Sequence, residues 1–557
     1  MTRPLALAFS GGTGDPTDFL DHELELLARS LPETLLAGGD ERLALCRDTG
    51  RNQYGCSPQP VAALALGSCT ASSISPRAYA AAGRVYDELK AQAGDLGGLW
   101  DLVHQRFLEL RQRLSAVMRF DRVEGTWVVL TPSGTDAEYL AATLARGATA
   151  RLLNIVVAPR EVGSGTVLAA GGQHFGAQTP RGESRRSGDF LKGGSASEIE
   201  VVSVGLRGRD GLVIPEAELD AEVERLVDRG LAEGARVLVH VVAHSKTGAH
   251  APTLACVQRL RAKAPEQVHV LVDAAQGRVS RRGLADVLDA GYMVLFTGSK
   301  FYGGPPFSGA LLVPPELDPP PSGLPLSEGM ADYFTASELP TEWEQLRAQL
   351  PTPPNLGLLL RWTAALVELE AYYQLDADVR LKILRAFESI VPRTLGASPY
   401  ITLDQLAPPL GADRVDRVLE SKRTVYPFWL YPPQGERAHF GKAQLRRVFH
   451  WVNQDLSGRL PGLGEADAAI VAEPFHIGQP VVLSESGGLA VLRIALGAAL
   501  MLRVGEETAL GETLDLRIAW LEAGLVRLRR KLELIVDHAD ALTAQDVAQT
   551  GGRRDDA

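Results

Sequence analysis

The chain has 557 residues, of which 45% are hydrophobic and 22% charged, and its net charge is −11. Length favours two or three domains and a large core, and the acidic balance argues against a nucleic-acid or anionic-membrane surface, since both need clustered positive charge. The four cysteines (Cys46, Cys56, Cys69, Cys256) form no CxxC pair and no zinc spacing, which suggests no metal and reduced thiols in a cytoplasm.

The opening run MTRPLALAFSGG lacks the apolar core and cleavage site of a signal peptide. No stretch reaches the roughly 18 apolar residues of a spanning helix. Residues 1–95 form an N-terminal segment with a helical start and a Gly/Ser/Pro-rich stretch at 50–76. It is expected to contribute to the active site and to the small domain.

Residues 96–330 read as the large domain. Short apolar, β-branched runs at 126–130, 152–158, 200–204, 237–243, 268–273, 293–297 and 310–313 alternate with amphipathic stretches such as 216–229 and 254–264. Continuous apolar strands alternating with helices predict an α/β fold with a mostly parallel sheet covered on both faces. Ligands of such sheets bind at the carboxyl ends of the strands. A Gly/Ser-rich stretch around 181–186, with three arginines, reads as a solvated loop. The proline-rich run 314–326 is a connector to a smaller α+β C-terminal domain at 331–545. A long amphipathic helix is expected at 510–541, and 546–557 should be a disordered tail.

The chemistry concentrates at strand ends. HVLVDAAQG ends an apolar run at Asp273, and YMVLFTGSKFYGG ends another just before Lys300. A buried lysine loses its charge readily and becomes a Schiff-base former. A carboxylate beside it can keep a pyridine nitrogen protonated. An Asp–Lys salt bridge at a sheet edge is the plainer alternative. Upstream, WVVLTPSGTDAEYL joins a strand to a helix through Pro132-Ser133-Gly134-Thr135. That is a candidate phosphate cradle, or simply a helix cap. The dinucleotide and P-loop fingerprints are absent, which leaves a nucleotide-binding dehydrogenase without support.

The order strand–SGT–helix, strand–HSKTG, VDAAQ and TGSK resembles fold-type I enzymes that use pyridoxal 5′-phosphate (PLP), most closely the class V aminotransferase-like group. The resemblance spans about residues 100–315. It implies that Lys300 forms the internal aldimine, that Asp273 pairs with the pyridinium nitrogen and that Gln276 approaches the ring hydroxyl. By the same resemblance Ser133, Gly134 and Thr135 hold the phosphate with Thr297 and Ser299, and Ser245 is a polar partner of the ring hydroxyl. Arg493, interrupting the apolar run in ESGGLAVLRIALGA, stands where the group grips the substrate carboxylate; an internal salt bridge is the alternative. The polar loop RNQYGCSPQP offers Asn52, Tyr54 and Ser57 for substrate contact.

The chain departs from the group's pattern in two places. Ser299 stands where many members have a histidine, and Val162-Gly163 occupy the place of the ring-stacking residue, for which His174 is a candidate substitute. The implied function is a PLP-dependent, aminotransferase-like transferase or lyase, a cytoplasmic homodimer acting on a small amino-acid substrate without nucleic acid or membrane. A lyase, replacement or C–C bond-forming enzyme on a bulky amino acid is the alternative, and a non-catalytic binding protein of the same fold a distant one. Cysteine desulfuration needs a mobile cysteine that in this fold normally follows the lysine, whereas every cysteine here precedes Lys300.

Overall fold

The computed structural model describes residues 24–120, 123, 125–148, 151–319, 323–404, 417–433, 439–484, 488–506 and 511–549. In chain order its strands are β1 (Leu64–Leu66), β2 (Trp127–Thr131), β3 (Leu152–Val157), β4 (Ile199–Val204), β5 (Arg236–Ala243), β6 (His250–Ala251), β7 (Val268–Ala274), β8 (Met293–Thr297), β9 (Gly309–Val313), β10 (Ile401–Leu403), β11 (Val425–Leu430), β12 (Phe475–Ser484) and β13 (Leu489–Ala495). Each expected strand of the large domain is present, with its ends shifted by one residue at most.

The large sheet runs β2-β9-β8-β7-β5-β3-β4, with β6 paired to β5. β3, β4, β5, β7 and β8 are mutually parallel. β9 is antiparallel to both β8 and β2, so β2 points the same way as the parallel set. The Val/Leu/Ile runs of β3, β5, β7 and β8 are buried almost throughout, as both covered faces require. The α/β class with a mostly parallel, two-sided sheet is therefore the observed one.

Helices used below are α1 (Pro76–Ala91), α2 (Leu96–Met118), α3 (Gly134–Arg146), α4 (Leu356–Gln374) and α5 (Leu514–Asp537). α1 starts at Pro76, where proline's missing N–H costs nothing, and Ser75 accepts from the Ala78 N–H at 3.1 Å. α3 covers one face of the large sheet, packing with Leu238, Leu271 and Leu295. α4 is buried along most of its length and packs on α1 and α2. Its Trp362 donates to the Gly309 carbonyl at 2.8 Å.

The smaller sheet runs β1-β12-β13-β11-β10. β1 comes from the N-terminal segment and pairs parallel to β12. The helix expected at 510–541 is α5, followed by a second helix, Ala539–Gln549. Residues 546–549, expected to be disordered, are thus helical. Asp546 accepts from Trp451 Nε1 at 2.9 Å and pairs with Arg459 at 2.7 Å, which anchors that turn. The rest of the expected tail, 550–557, lies outside the described residues.

Candidate active site

Because β2, β3, β5, β7 and β8 run the same way, their carboxyl ends open on one edge. That edge receives Ser133, Glu161, Ser245-Lys246, Asp273 and Thr297-Lys300 from segments far apart in sequence. The N-terminal segment crosses from β1 to the same place, where Gly67 bridges Ala495 and residues Ser68-Cys69-Thr70 follow.

Lys300 follows the end of β8. Burial lowers its amine from 10.5 to about 8; the Asp273 carboxylate opposes this, while Arg493 and Arg278 push it further down. Burial raises the Asp273 carboxyl, and Lys300, the Ala275 N–H (3.0 Å) and Lys246 pull it back. Lys300 and Asp273 form no ion pair among the described residues, so the salt-bridge alternative is not what this geometry contains.

Around them is an excess of buried positive charge. The Arg493 guanidinium donates to Gln479 O (3.0 and 2.8 Å), Cys69 O (3.3 Å), Lys246 O (3.0 Å) and Thr70 Oγ1 (2.8 Å). All five of its N–H groups thus meet neutral oxygens, and no carboxylate of the described residues pairs with it. Gly478, beside Arg493 on β12, leaves room for this, since a Cβ there would lie 2.5 Å from Cys69 Sγ. Arg278, fully buried, likewise donates, among the described residues, only to neutral acceptors: Thr424 Oγ1 (2.8 Å), Gln276 O (2.9 Å) and Oε1 (3.2 Å), Ser68 Oγ (2.8 Å) and Leu496 O (3.1 Å). Burial brings it down to about 10.

The turn before α3 behaves as a cap and more. Ser133 Oγ accepts from the N–H groups of Thr135 (3.2 Å) and Asp136 (3.4 Å) and from Arg42 (3.2 Å). Burial works against the Arg42 charge, but Tyr54, Asp40 and Asp136 hold it firmly protonated. Burial pushes the Asp136 carboxyl up to about 7, against the pull of Arg42. Gly134 faces Leu295, where a Cβ would lie 2.7 Å from Cδ2. Thr135 faces Gly163, where a Cβ would lie 3.0 Å from its Oγ1. Thr297 Oγ1 donates to Ala275 O at 2.7 Å, and Ser299 is buried beside Lys300.

Other candidates have protein partners already. Gln276 donates to Cys69 O at 3.1 Å and accepts from Arg278. Ser245 Oγ donates to the buried Glu161 carboxylate at 2.6 Å, and Glu161 also pairs with Arg207 at 2.5 Å. His174 is hydrogen-bonded to Tyr333 Oη at 2.8 Å and stacks on that ring, in an aromatic cluster with Tyr139 and Phe175 rather than in the Lys300 group. Asn52 shapes its own loop, accepting from the Tyr54 (3.0 Å) and Cys56 (3.1 Å) N–H groups. Tyr54 is brought to Arg42, beside Ser133, where burial raises its hydroxyl. Ser57 donates its N–H to Ser73 Oγ at 3.0 Å.

The sequence reading passed over Arg42, Glu161, Lys246 and Arg278. Lys246 lies inside HSKTG, and Arg278 directly follows HVLVDAAQG. Burial brings the Lys246 amine to about 7, helped by Arg493 and Lys300 and opposed by Glu161 and Asp273. Among the described residues no cluster of three metal-ligating side chains occurs, and no helix is long and apolar enough to cross a membrane.

No protein-family profile matches the chain. No curated protein matches it in sequence either. Solved structures do resemble it. The cysteine desulfurase CsdA from Escherichia coli is 16% identical, with 84% of this chain and 94% of that one covered and a TM-score of 0.46. A cystine C–S lyase, C-DES, solved with cysteine persulfide, is 15% identical over 82% and 97%, TM-score 0.47. Serine palmitoyltransferase from S. paucimobilis, with bound PLP and myriocin, is 13% identical over 85% and 89%, TM-score 0.43. At these identities and scores the likenesses carry nothing about substrate or reaction.

Proposed function

We propose that the protein is a PLP-dependent enzyme, a transferase or lyase acting at the α-, β- or γ-carbon of an amino-acid substrate. The observation that carries this reading is Lys300: an amine brought to about 8, without hydrogen bond or ion pair among the described residues, beside the buried Asp273. A phosphate-bearing, pyridine-containing aldehyde fits the donor set. Lys300 offers the nucleophilic amine and Asp273 the partner for a ring N–H. The Ser133–Thr135 turn at the α3 N-terminus, with Arg42 beside it, offers an anion site. Asp136 shares that turn, and its carboxyl near 7 limits its repulsion of an anion.

PLP, when bound, supplies the sink for an electron pair left at the substrate α-carbon. Lys300 Nζ is the group placed to take and return a proton there, because as a neutral amine it is a base near neutral pH. Asp273 is placed to hold a proton at a neighbouring acceptor; burial raises its carboxyl, and Lys300 and Lys246 oppose that rise. Arg493 fixes the N-terminal segment, the β5 loop and β12 around this space. A substrate carboxylate there would exchange for one or more of its neutral acceptors, a gain because charge-assisted bonds are the stronger ones. By the same resemblance the active unit is a homodimer in the cytoplasm.

The alternative is a lyase or replacement reaction on a larger substrate. A cavity of about 260 Å³ lies beside Glu161, lined by Pro159, Arg160, Leu206, Arg207 and Leu483. Glu161 links it to Ser245, while Lys300, Asp273 and Arg493 are not in its lining.

The test is an absorption spectrum of the protein mixed with PLP. A visible band near about 410–430 nm, removed by borohydride and missing in Lys300→Ala, is expected for an imine at Lys300. No band in the wild type would overturn the reading. Quantitative conversion to the pyridoxamine form by an amino acid, reversed by a keto acid, would select transamination over the lyase alternative.

A further inference from the structure

Lys246 is a site cation to which the roles above assign no contact with the substrate. It follows Ser245 at the end of β5, and its own backbone ties it down at both ends. Its N–H donates to Glu161 O at 2.8 Å, and its carbonyl accepts from Arg493 at 3.0 Å. Its ammonium has a single hydrogen bond, a long one of 3.4 Å to the Arg160 carbonyl, and no ion pair among the described residues.

The charged groups facing it are Lys300 after β8, Asp273 on β7, Arg493 on β13 and Glu161 after β3. Glu161 is engaged by Arg207, Ser245 and Thr247. Asp273 sits opposite Lys300, where the cofactor reading employs it. Among the described residues no protein carboxylate is left for Lys246. With Lys300 reserved for the cofactor and Arg493 assigned to the substrate α-carboxylate, the positive charge of Lys246 remains available beside both. Lys246 is partly exposed, so its ammonium is open to a ligand, and holding its charge among other cations is costly unless an anion joins it. Its amine, brought to about 7, has paid that cost in lost protonation, which a bound anion would restore.

We propose that Lys246 binds a second anionic group of the substrate, so that the preferred substrate is an amino acid with an acidic side chain. This rests on the PLP reading of Lys300. Lys246 is then a specificity-determining residue that touches the substrate away from the bond that changes.

The experiment titrates the PLP-loaded protein with L-aspartate against L-asparagine and L-glutamate against L-glutamine, reading Kd from the change in the visible band. In the wild type at least one acid should bind about tenfold or more tightly than its amide, the order expected of a charge-assisted contact. Lys246→Met should keep the band and bring that ratio to about one, while Lys246→Arg should keep the preference. Equal or weaker binding of both acids in the wild type overturns the inference, and this holds even if Lys246→Met does not fold. A preference that survives in Lys246→Met overturns it too. A wild type with no band fails the PLP reading itself, whereas a normal band without acid preference fails only this inference.

Discussion

At the scale of single residues the site is governed by desolvation more than by pairing. Lys300 drops to about 8 mainly because its charge is buried, and Asp273 recovers only part of it. Its reaction with an aldehyde should therefore accelerate as pH rises through about 8 and then level off. Ordinary lysines continue to gain toward 10.5. The rate of band formation with PLP across that range checks this. The sign for stability follows from the same shift. Between about 8 and 10.5 the unfolded chain holds the Lys300 proton and the folded chain does not, so this group's contribution rises with pH across that window. Below about 8 both states are protonated and the penalty is constant. Urea midpoints of wild type against Lys300→Met should diverge toward lower pH, with the variant the more stable. Asp273→Asn should still bind PLP through Lys300 but lose about 10²-fold or more in turnover, since an amide cannot keep a ring nitrogen protonated. Unchanged turnover in that variant would remove Asp273 from the chemistry.

At the scale of elements, the antiparallel β9 does as much for the site as the parallel strands. Gly309 at its start presses against the turn between β2 and α3. A Cβ there would lie 2.6 Å from the Ser133 carbonyl carbon and 2.6 Å from Thr131 Oγ1. Backbone cannot give way as a side-chain end can. Gly309→Ala should cost about 1–3 kcal/mol and weaken PLP binding by shifting Ser133–Thr135. Gly134→Ala meets Leu295 Cδ2, the tip of a flexible side chain, and should cost less. Denaturation midpoints and PLP titrations of both variants rank them. The packing behind this strand is firm: Trp362 of α4 is fully buried, and its indole is bonded to the Gly309 carbonyl. Trp362→Ala should cost about 3–5 kcal/mol, read from the same denaturation curves.

At the scale of the whole molecule, two buried arginines knit three parts of the chain together. Arg278 of the large domain reaches Ser68 in the N-terminal segment and Thr424 and Leu496 in the C-terminal part. Arg493 returns from the small sheet to Cys69, Thr70 and Lys246. Both also project positive charge onto Lys300. Arg493→Met should therefore raise the Lys300 pKa, moving the pH midpoint of band formation upward, and weaken the hold on the small sheet. Its Gln479 and Lys246 carbonyls would be left short of a donor, at about 1–3 kcal/mol for each that stays unsatisfied. An unchanged midpoint would mean that its charge does not reach the lysine.

The sequence by itself determined the layout of the large domain, because strands buried on both faces must be continuous apolar runs. The same rule made Asp273 and Lys300 legible, since each stands where such a run stops. Ser133 was legible as a cap for a similar local reason, as the first helical N–H groups need an acceptor. What only the tertiary structure decided is where the hydrogen bonds of the buried polar groups go. Arg493 finds Cys69 across 424 positions of chain, and Gln276 finds the same carbonyl across 207. No periodicity encodes such pairings, so the sequence could offer Gln276, Ser245 and Arg493 for ligand contact without seeing that protein atoms already occupy them. Lys246 and Arg278 were visible as letters but not as charges in a crowded interior, because desolvation and the proximity of other cations exist only once the chain is folded.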